Sequence, residues 1–307
     1  MKLSGVICVL AASFALSGCG GGGGGLRLFS AFSNLQPNQN VQMPGFGLNT
    51  RYEIDQASGE VTAEASEATV GSVSLSVDAG GSVSKASLEF PPGPGFGTPT
   101  RLRFDTAQGA TFADGDTLDP IASDFIIAET ASGSPAAIVA DPIAAGFEYQ
   151  SFGVWATGLN ANSGQAGVFT AGASIANSSF GGVPAAGMAS YRGMSNGFYL
   201  DPDGNAFLTF ADFDADIDFG AQTIALSTVG TDVIDISTGV SSAMGSLDFT
   251  GDGTVLADGD IAAAISATNL AGNLDGILYG PNAEELGGVF EMTGAAGRYL
   301  GAVGAAQ

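Results

Sequence analysis

Oxygen-bearing side chains near Asp201 have the spacing of a calcium-binding loop. Asp201, Asp203 and Asn205 fall at the first, third and fifth positions, and Asp212 falls at the twelfth. Carboxylate and amide oxygens are the ligands that Ca²⁺ prefers, but the sixth position of such a loop requires glycine and is Ala206 here. The second half of the stretch also has the alternation of a strand. We therefore predict no metal site at this position.

Four aspartates follow at every second residue, where they would share one face of a strand. Asp212, Asp214, Asp216 and Asp218 would stand about 7 Å apart, which is too far for one ion to bridge neighbours. A solvated strand face is the better interpretation. The residues predicted to share the opposite, buried face are Phe207, Thr209, Ala211, Phe213, Ala215, Ile217 and Phe219.

The sequence contains few residues or motifs that could form a catalytic site. Residues 193–197 match G-x-S-x-G around Ser195, but a nucleophile elbow needs a helix after it and a histidine partner. The chain contains no histidine, which removes Ser-His-Asp triads and histidine-ligated zinc or haem. We predict that the match is a hairpin turn, that the protein is not an enzyme, and that it holds no cofactor. Ligation of haem by tyrosine stays open, although none of the tyrosines stands out.

One predicted hairpin carries a candidate binding site. Alternation places Lys85, Arg101 and Arg103 on its outward face, and Phe96 lies between glycines in its long tip. Basic side chains beside an exposed aromatic can bind a protein or an anionic ligand. The alternative, which we favour, is that Arg101 and Arg103 pair with Glu89 and nearby acids across the strands while Phe96 turns inward.

The net charge of the chain limits the classes of partner that it is expected to bind. It has 31 acidic and 8 basic residues in 307, a net charge of −23. Nucleic acid and an anionic membrane surface are disfavoured as partners, because phosphate binding needs clustered Lys and Arg. With 48 glycines and an apolar fraction of 45%, the composition favours strands and turns over disorder.

The N-terminus is predicted to be an export signal and an anchor. Lys2 precedes an apolar run over residues 6–15, and Leu16-Ser17-Gly18-Cys19 resembles the bacterial lipobox. This resemblance implies a signal peptide over residues 1–18, lipid on Cys19 and, with Gly20 next, sorting to the outer membrane. Residues 20–25 are six glycines, and we predict a tether over residues 19–45.

Apolar alternation predicts two β-rich domains, over residues 46–150 and 151–307. In the first, we expect a strand pair over residues 111–116 and 121–128 and a connection over residues 132–146. In the second, we expect about eight strands, enough for a small barrel filled by side chains. Besides an opening strand and the strand that carries the aspartates, these cover residues 222–229, 246–249, 260–267, 274–279, 288–292 and 298–303.

The stretch over residues 274–307 predicts how the second domain closes. Gly280-Pro281-Asn282 interrupts two strands, and Asn282 is placed to cap one helical turn over residues 283–286. Glu284 and Glu285 are expected to accept hydrogen bonds from turn amides. A short strand follows at the end of the stretch, and it must pair with an earlier one, which would close a barrel.

Three ordered segments resemble transferrin-binding protein B-like surface lipoproteins. They are FEYQSFGVWATG with Trp155, GGVPAAGMASYRG, and GILYGPNAEELGGVF before a glycine-rich strand. The resemblance implies an all-β chain in which a handle precedes an eight-stranded antiparallel barrel. It also implies a lipid-anchored cell-surface protein that binds an extracellular protein or an iron- or haem-bearing ligand in nutrient acquisition. The alternative is a structural or adhesive surface module with no nutrient ligand.

Overall fold

A computed structural model describes residues 26–55, 57–90, 100–176 and 182–307. The predicted signal peptide, Cys19, the glycine run and Phe96 lie outside these residues. Within these residues the backbone is mostly extended, with short 3₁₀ turns and one single-turn helix, α1 (Pro142–Ala145). The predicted all-β fold is confirmed.

A large sheet is built from the first half of the described chain. Its strands are β1 (Arg27–Leu28), β2 (Asn40–Ile54), β3 (Val61–Ala63), β4 (Glu67–Val77), β5 (Val83–Phe90), β6 (Thr100–Asp105), β7 (Thr111–Asp114), β8 (Phe125–Glu129), β9 (Ala136–Ala140), β10 (Gln150–Ala156) and β11 (Ser163–Gly172). Their order is β6-β5-β4-β2-β11-β10-β9-β8-β7, with β1 and β3 also paired to β2. The sheet curls around a core that includes Phe90, Phe104, Trp155 and Phe169, but β6 and β7 do not pair, so it stays open.

A closed barrel follows. Its strands are β12 (Met188–Leu200), β13 (Ala206–Asp218), β14 (Thr223–Asp235), β16 (Thr250–Val255), β17 (Asp260–Ala267), β18 (Leu270–Tyr279), β19 (Glu285–Gly294) and β20 (Gly297–Ala306), while the short β15 (Ser241–Ala243) flanks β14. Each barrel strand pairs with two neighbours, and β20 pairs with β12. The predicted eight-stranded antiparallel barrel and its closure by the last strand are confirmed.

Alternation along β13 divides the wall of the barrel as the sequence predicts. Phe213, Ala215 and Ile217 are buried in the barrel interior, whereas Asp212 and Asp214 are exposed. Glycines admit large rings to this interior. A Cβ on Gly197 would stand 2.9 Å from the ring of Tyr299, and a Cβ on Gly301 would stand 2.3 Å from the ring of Phe290. The glycines therefore let the aromatic core of the barrel form.

The predicted tether over residues 19–45 is wrong from Arg27 onward. Asn40–Ile54 is a central strand of the first sheet, and Phe29, Val41 and Met43 are buried in its core. Pro44 masked the strand in the sequence, because proline cannot donate to a ladder. Its missing N–H is tolerated, because the pairing of β2 with β11 begins only at Gly45.

The predicted boundary between the two domains also lies elsewhere in the structure. Gln150–Ala156 pairs with β9 and β11, so Trp155 lies in the core of the first sheet, and the predicted boundary at 150/151 falls within that sheet. The expected connection over residues 132–146 contains strand β9, and Ile121 lies in a 3₁₀ turn. Alanine-rich strands paired on both sides carry a weak sequence signal, because their stability comes from pairing and not from propensity.

Two further expectations within the barrel are wrong. The strand expected over residues 246–249 lies instead at Thr250–Val255, where Gly251 and Gly253 face the neighbouring strand and resemble turn residues only in sequence. The helical turn expected over residues 283–286 is absent, because Ala283 has φ +62° and Glu285 already begins β19. A left-handed residue at this position cannot continue a right-handed helix.

Candidate binding face and domain seam

The hairpin of β5 and β6 brings three of the four candidate ligand contacts together. Glu89 pairs with Arg101, Ser87 with Arg103, and Lys85 with Asp105. Because partners across antiparallel strands point to the same side, all of these side chains share one face. Leu88, Phe90, Leu102 and Phe104 are buried on the other side. Phe96 lies outside the described residues.

This face extends across five strands. One row runs from Arg103 through Ser87, Ser74 and Gln42 to Leu28, each residue being the cross-strand partner of the next. Strands about 4.8 Å apart give the row a length of roughly 19 Å. We call this surface the serine–arginine face, and its flanking rows are Arg101–Glu89–Ser72–Pro44 and Asp105–Lys85–Ser76–Asn40.

Ion pairs neutralise part of the face. Lys85 Nζ lies 2.8 Å from Asp105 Oδ2, and Arg101 Nη2 lies 2.7 Å from Glu89 Oε1. The hydrogen bond from Lys85 is the main cause that lowers the pKa of Asp105. The predicted cross-strand pairing is therefore confirmed for Arg101 and is wrong for Arg103, while the pair of Lys85 with Asp105 was not predicted. Arg103 is exposed and forms no ion pair with the described residues, which makes it the cation available to a ligand.

The calcium-like spacing at Asp201 serves a turn. Asp201 Oδ1 accepts from the backbone N–H groups of Asp203, at 2.9 Å, and Asn205, at 2.8 Å, and its Oδ2 accepts from the Asn205 amide. The carboxylate thus holds the β12–β13 connection together. Within the described ranges, no group of three or more acidic or cysteine side chains is arranged to hold a metal ion.

Ser195 lies in the middle of β12, so the predicted hairpin turn over residues 193–197 is wrong. A Cβ on Gly193 would stand 2.1 Å from the carbonyl oxygen of Gly304, which shows that the glycine allows close strand approach. The Ser195 hydroxyl is fully buried, as are those of Thr209 and Tyr299. Burial raises the pKa of Tyr299 to about 12. A buried serine hydroxyl of this kind is not accessible to act as a nucleophile.

A broad seam, which was not predicted from the sequence, joins the curled sheet to the barrel. Strands β10 and β11 pack against the outside of β19 and β20. The apolar residues of the seam include Phe152, Val154 and Val168 from the sheet, and Phe210, Ile277, Val289 and Leu300 from the barrel. Along β13, the outward positions change from apolar Leu208 and Phe210 to exposed Asp212. That change was a readable signal that one end of the barrel wall is covered.

Polar groups fix the register of this seam. The hydroxyls of Thr170 and Tyr279 lie 2.9 Å apart, and Gln150 Nε2 donates to the Leu286 carbonyl at 2.7 Å. Asn196 Nδ2 donates to the Ile138 carbonyl at 3.1 Å. Because unpaired polar groups are costly to bury, these bonds specify one relative placement of sheet and barrel.

Glu285 is a buried carboxylate within the seam. Its Oε1 accepts from the backbone N–H groups of Glu148 and Tyr149, so the expected amide bonding exists but comes from the segment before β10. Glu284 accepts from the turn amide of Asn282 at 2.8 Å, as predicted. Desolvation raises the pKa of Glu285 to about 7 despite these bonds.

Two aspartates on the outside of β17 and β18 are also perturbed. Burial, with a smaller contribution from Asp258 and Asp275, raises the pKa of Asp260 to about 7. Burial alone raises the pKa of Asp275 to about 6. At a pH above these pKa values both carboxyls are ionised, and keeping their charges in a buried position lowers the stability of the fold.

A second contact joins the sheet to the outside of β19 and β20 at the end of the seam near the β19–β20 turn. Arg298 pairs with Glu291 and also donates to the backbone carbonyl of Glu64, and Ser66 bonds to Glu291. The Val61 N–H donates to the Gly204 carbonyl at 2.9 Å. The serine–arginine face is therefore carried by a domain that is fixed to the barrel at both ends of the seam.

This architecture defines a class of protein: a filled, closed barrel that supports an open curled sheet with an exposed polar face. Residues 183–307 match the family model described as "C-lobe and N-lobe beta barrels of Tf-binding protein B". The resemblance predicted from the sequence is thereby confirmed for this part of the chain, and residues 183–307 form a transferrin-binding protein B-like barrel domain.

Similar solved structures include forms of transferrin-binding protein B. A mutant from Haemophilus parasuis Hp5 has 10% identity and a TM-score of 0.45, covering 92% of this chain and 77% of that one. A mutant from Actinobacillus pleuropneumoniae H49 has 11% identity and a TM-score of 0.45, covering 85% and 98%. The isotype 1 protein from serogroup B Neisseria meningitidis has 12% identity and a TM-score of 0.39, covering 88% and 77%. No curated protein matches the sequence.

Among the residues that the structure describes, no helix is both long and apolar enough to cross a bilayer.

Proposed function

We propose that this protein is a lipid-anchored surface lipoprotein of the outer membrane that binds an extracellular ligand and does not transform it. The ligand is a protein, or an iron- or haem-bearing molecule, taken up as a nutrient. The observation that carries the proposal is the match of the barrel to the transferrin-binding protein B model. The lipobox-like Leu16-Ser17-Gly18-Cys19 supplies the anchor.

The ligand contacts proposed are Lys85, Arg101 and Arg103 of the serine–arginine face, together with Phe96 in the adjacent loop. The chain is strongly acidic, so this face is the place where a negatively charged part of a partner meets the least repulsion. The seam fixes the domain that presents the face, which lowers the entropy cost of binding.

The decisive experiment is capture from growth medium or host fluid by the purified mature protein, followed by identification of the bound molecule. A discrete ligand should be retained, and Arg101→Ser with Arg103→Ser should weaken its binding by about tenfold or more, the effect of losing roughly 1.4 kcal/mol. Phe96→Ala tests the loop separately. Titration with free haem, followed by absorbance, separates a haem ligand from a protein ligand.

The matched control is Arg192→Ser on the barrel. Arg192 is an exposed arginine whose Nε lies 3.7 Å from Asp214, so it resembles the tested residues in charge and exposure but lies on another domain. If both arginine changes on the hairpin leave the affinity for every captured ligand as it was, the assignment of the face is wrong. Measured turnover of any captured molecule would contradict the binding role itself.

A structural or adhesive surface module is the competing function. It predicts association between cells or between copies of the protein, with no discrete nutrient ligand. Equal expression in iron-rich and iron-poor media, together with cell clumping that depends on this protein, would favour it.

A further inference from the structure

Exposed apolar side chains are distributed unevenly between the two ends of the curled sheet. We call the end at which β2 begins the entry end, because the described chain starts there with β1 beside Val41 and Gln42. The register places the β4–β5 turn, the β7–β8 connection and the β9–β10 connection at the same end. The β10–β11 turn lies at the opposite, far end.

Six large apolar residues of this sheet and its connections are exposed within the described ranges, and five of them lie at the entry end. These five are Leu26, Leu28, Val83, Leu118 and Ile143, which form what we call the entry-end apolar set. Leu159 is the one at the far end. The barrel does not share this bias, since Met188 and Leu256 are exposed at one of its ends and Ile236 and Val240 at the other.

A repeated motif shows that the exposure of Ile143 is not forced by local structure. Asp-Pro-Ile-Ala occurs at residues 119–122 and again at residues 141–144. Each aspartate accepts a hydrogen bond from the N–H of the following isoleucine, at 3.1 Å for Ile121 and 2.9 Å for Ile143. Ile121 packs against the seam, whereas Ile143 is 89% exposed. The second copy of the turn presents its isoleucine outward.

The short length of chain between Cys19 and Leu26 limits how far the entry end can lie from the membrane. Cys19 precedes Leu26 by seven residues, so even a fully extended chain spans no more than about 25 Å between them. If Cys19 carries lipid, the entry end stays within that distance of the bilayer surface. Tethering also raises the effective concentration of the sheet at the membrane, so weak apolar contacts suffice to orient it.

We propose that the entry-end apolar set rests on the lipid surface and orients the protein with the far end outward. This inference rests on the proposed lipid anchor and adds a second, non-covalent membrane contact. The contact is apolar: the acidic chain is repelled by anionic lipid, so a zwitterionic surface is the preferred one. Among the carboxylates near the set, Asp119 and Asp141 accept hydrogen bonds that cap their turns, whereas Asp116, two residues from Leu118, is exposed.

The test measures how close single sites come to the bilayer. The chain has two cysteines, Cys8 in the predicted signal and Cys19 at the anchor, so one added cysteine can be labelled specifically. Lipidated protein carrying Leu28→Cys, Ile143→Cys or the far-end control Leu159→Cys is labelled with a fluorophore and reconstituted in phosphatidylcholine vesicles with brominated acyl chains. Quenching is expected at residues 28 and 143 but not at 159.

A second set of variants tests the apolar contribution. With the label at Val83→Cys, the pair Leu28→Ser and Ile143→Ser should at least halve the quenching, whereas Leu159→Ser should leave it unchanged. Raising NaCl from 0.1 to 1 M should not weaken the contact, and adding phosphatidylglycerol at low salt should. Quenching that is equal at all three sites, or absent at residues 28 and 143 in vesicle-bound protein, overturns the proposal.

Failure of the anchor can be told apart from failure of the surface contact. If the full chain does not float with vesicles, the proposed lipidation is wrong. The same labelled variants are then attached through a histidine tag that replaces residues 1–19, on vesicles with a nickel-chelating lipid. Quenching confined to residues 28 and 143 in that setting supports the membrane face, and uniform or absent quenching contradicts it.

Discussion

Thr170 and Tyr279 hydrogen-bond to each other across the seam, with their hydroxyl oxygens 2.9 Å apart and both side chains almost fully buried. One hydroxyl belongs to the curled sheet and the other to the barrel. Because neither has access to water, each depends on the other for its hydrogen bond. The pair is thus a direct measure of how strongly the two domains are coupled.

Removing both of these hydroxyls should cost less than the sum of the costs of removing each one alone. We expect Tyr279→Phe or Thr170→Val to lower the free energy of unfolding by about 1–2 kcal/mol, because each leaves a buried partner unsatisfied. The double variant should lose less than the sum of the single effects, by about 1 kcal/mol. Urea unfolding of the four proteins measures this. Strict additivity would mean that the two hydroxyls are not coupled.

Arg298 should matter more than an exposed arginine of the same barrel. Its guanidinium holds Glu291 and the Glu64 carbonyl with a side chain that is only 17% exposed, so Arg298→Ala should destabilise the protein by about 1–3 kcal/mol. Arg192→Ala, which removes a side chain that is 89% exposed, should stay within about 0.5 kcal/mol of the parent. Thermal unfolding distinguishes them, and equal effects would contradict a role for Arg298 at the seam.

Gly197 should not tolerate a methyl group. A Cβ there would lie 2.5 Å from the Leu300 carbonyl oxygen and 2.9 Å from the Tyr299 ring, so Gly197→Ala should cost about 1–3 kcal/mol through overpacking. The control is Gly220→Ala in the β13–β14 turn, where only the Asp218 carboxylate lies nearby, at 3.3 Å. Denaturant midpoints for the two variants test this. A neutral Gly197→Ala would show that the ring can move.

Stability should rise as the pH falls from about 8 to about 5. The pKa values of Asp260 and Glu285 are raised to about 7, and that of Asp275 to about 6, so the folded state binds protons in a range where the unfolded chain does not. Stability therefore increases as these carboxyls take up protons. Below their ordinary range the sign reverses, because the pKa of Asp105 is lowered in the folded state and its stabilisation is lost.

The variant Asp260→Asn checks this assignment. It should raise the melting temperature at pH 8 and flatten the dependence on pH between 5 and 8, because it removes a buried charge without a counterion. Asp212→Asn, at an exposed position on the barrel wall, should leave the slope unchanged. A melting temperature that falls steadily from pH 8 to pH 5 in the parent protein would contradict the prediction.

Strict alternation was what made the barrel predictable. Phe213, Ala215 and Ile217 read as buried because aspartates separate them, and a residue's side of a strand follows from its position alone. The strand that contains Gly251 and Gly253 was not predicted. In sequence, a glycine that allows a neighbouring strand to approach closely looks the same as a glycine in a turn. Pro44 made another strand hard to predict, because proline is rare in central strands. It is tolerated here because its missing N–H would face no acceptor.

The candidate face was partly predictable from the sequence, whereas for the seam only the apolar outward positions at the start of β13 carried a signal. Outward positions of Arg101 and Arg103 follow from alternation, and their neighbours on β5 follow from a hairpin register. That Ser74, Gln42 and Leu28 continue the same row depends on pairings between distant parts of the chain, which local patterns do not encode. Likewise, Gln150 and Thr170 read as ordinary polar strand residues until the barrel is placed against them.

The pairing of β12 with β20 has a consequence for how the protein is made. These strands are about a hundred residues apart in sequence, yet they are neighbours in the barrel. Strand β20 also supplies Leu300 and Ala302 to the seam. Until Gly297–Ala306 has been synthesised, the barrel has a gap between β12 and β19 and cannot close. The edge of β12 therefore stays unpaired while most of the chain is being made, and closure of the barrel must be a late, long-range step of folding.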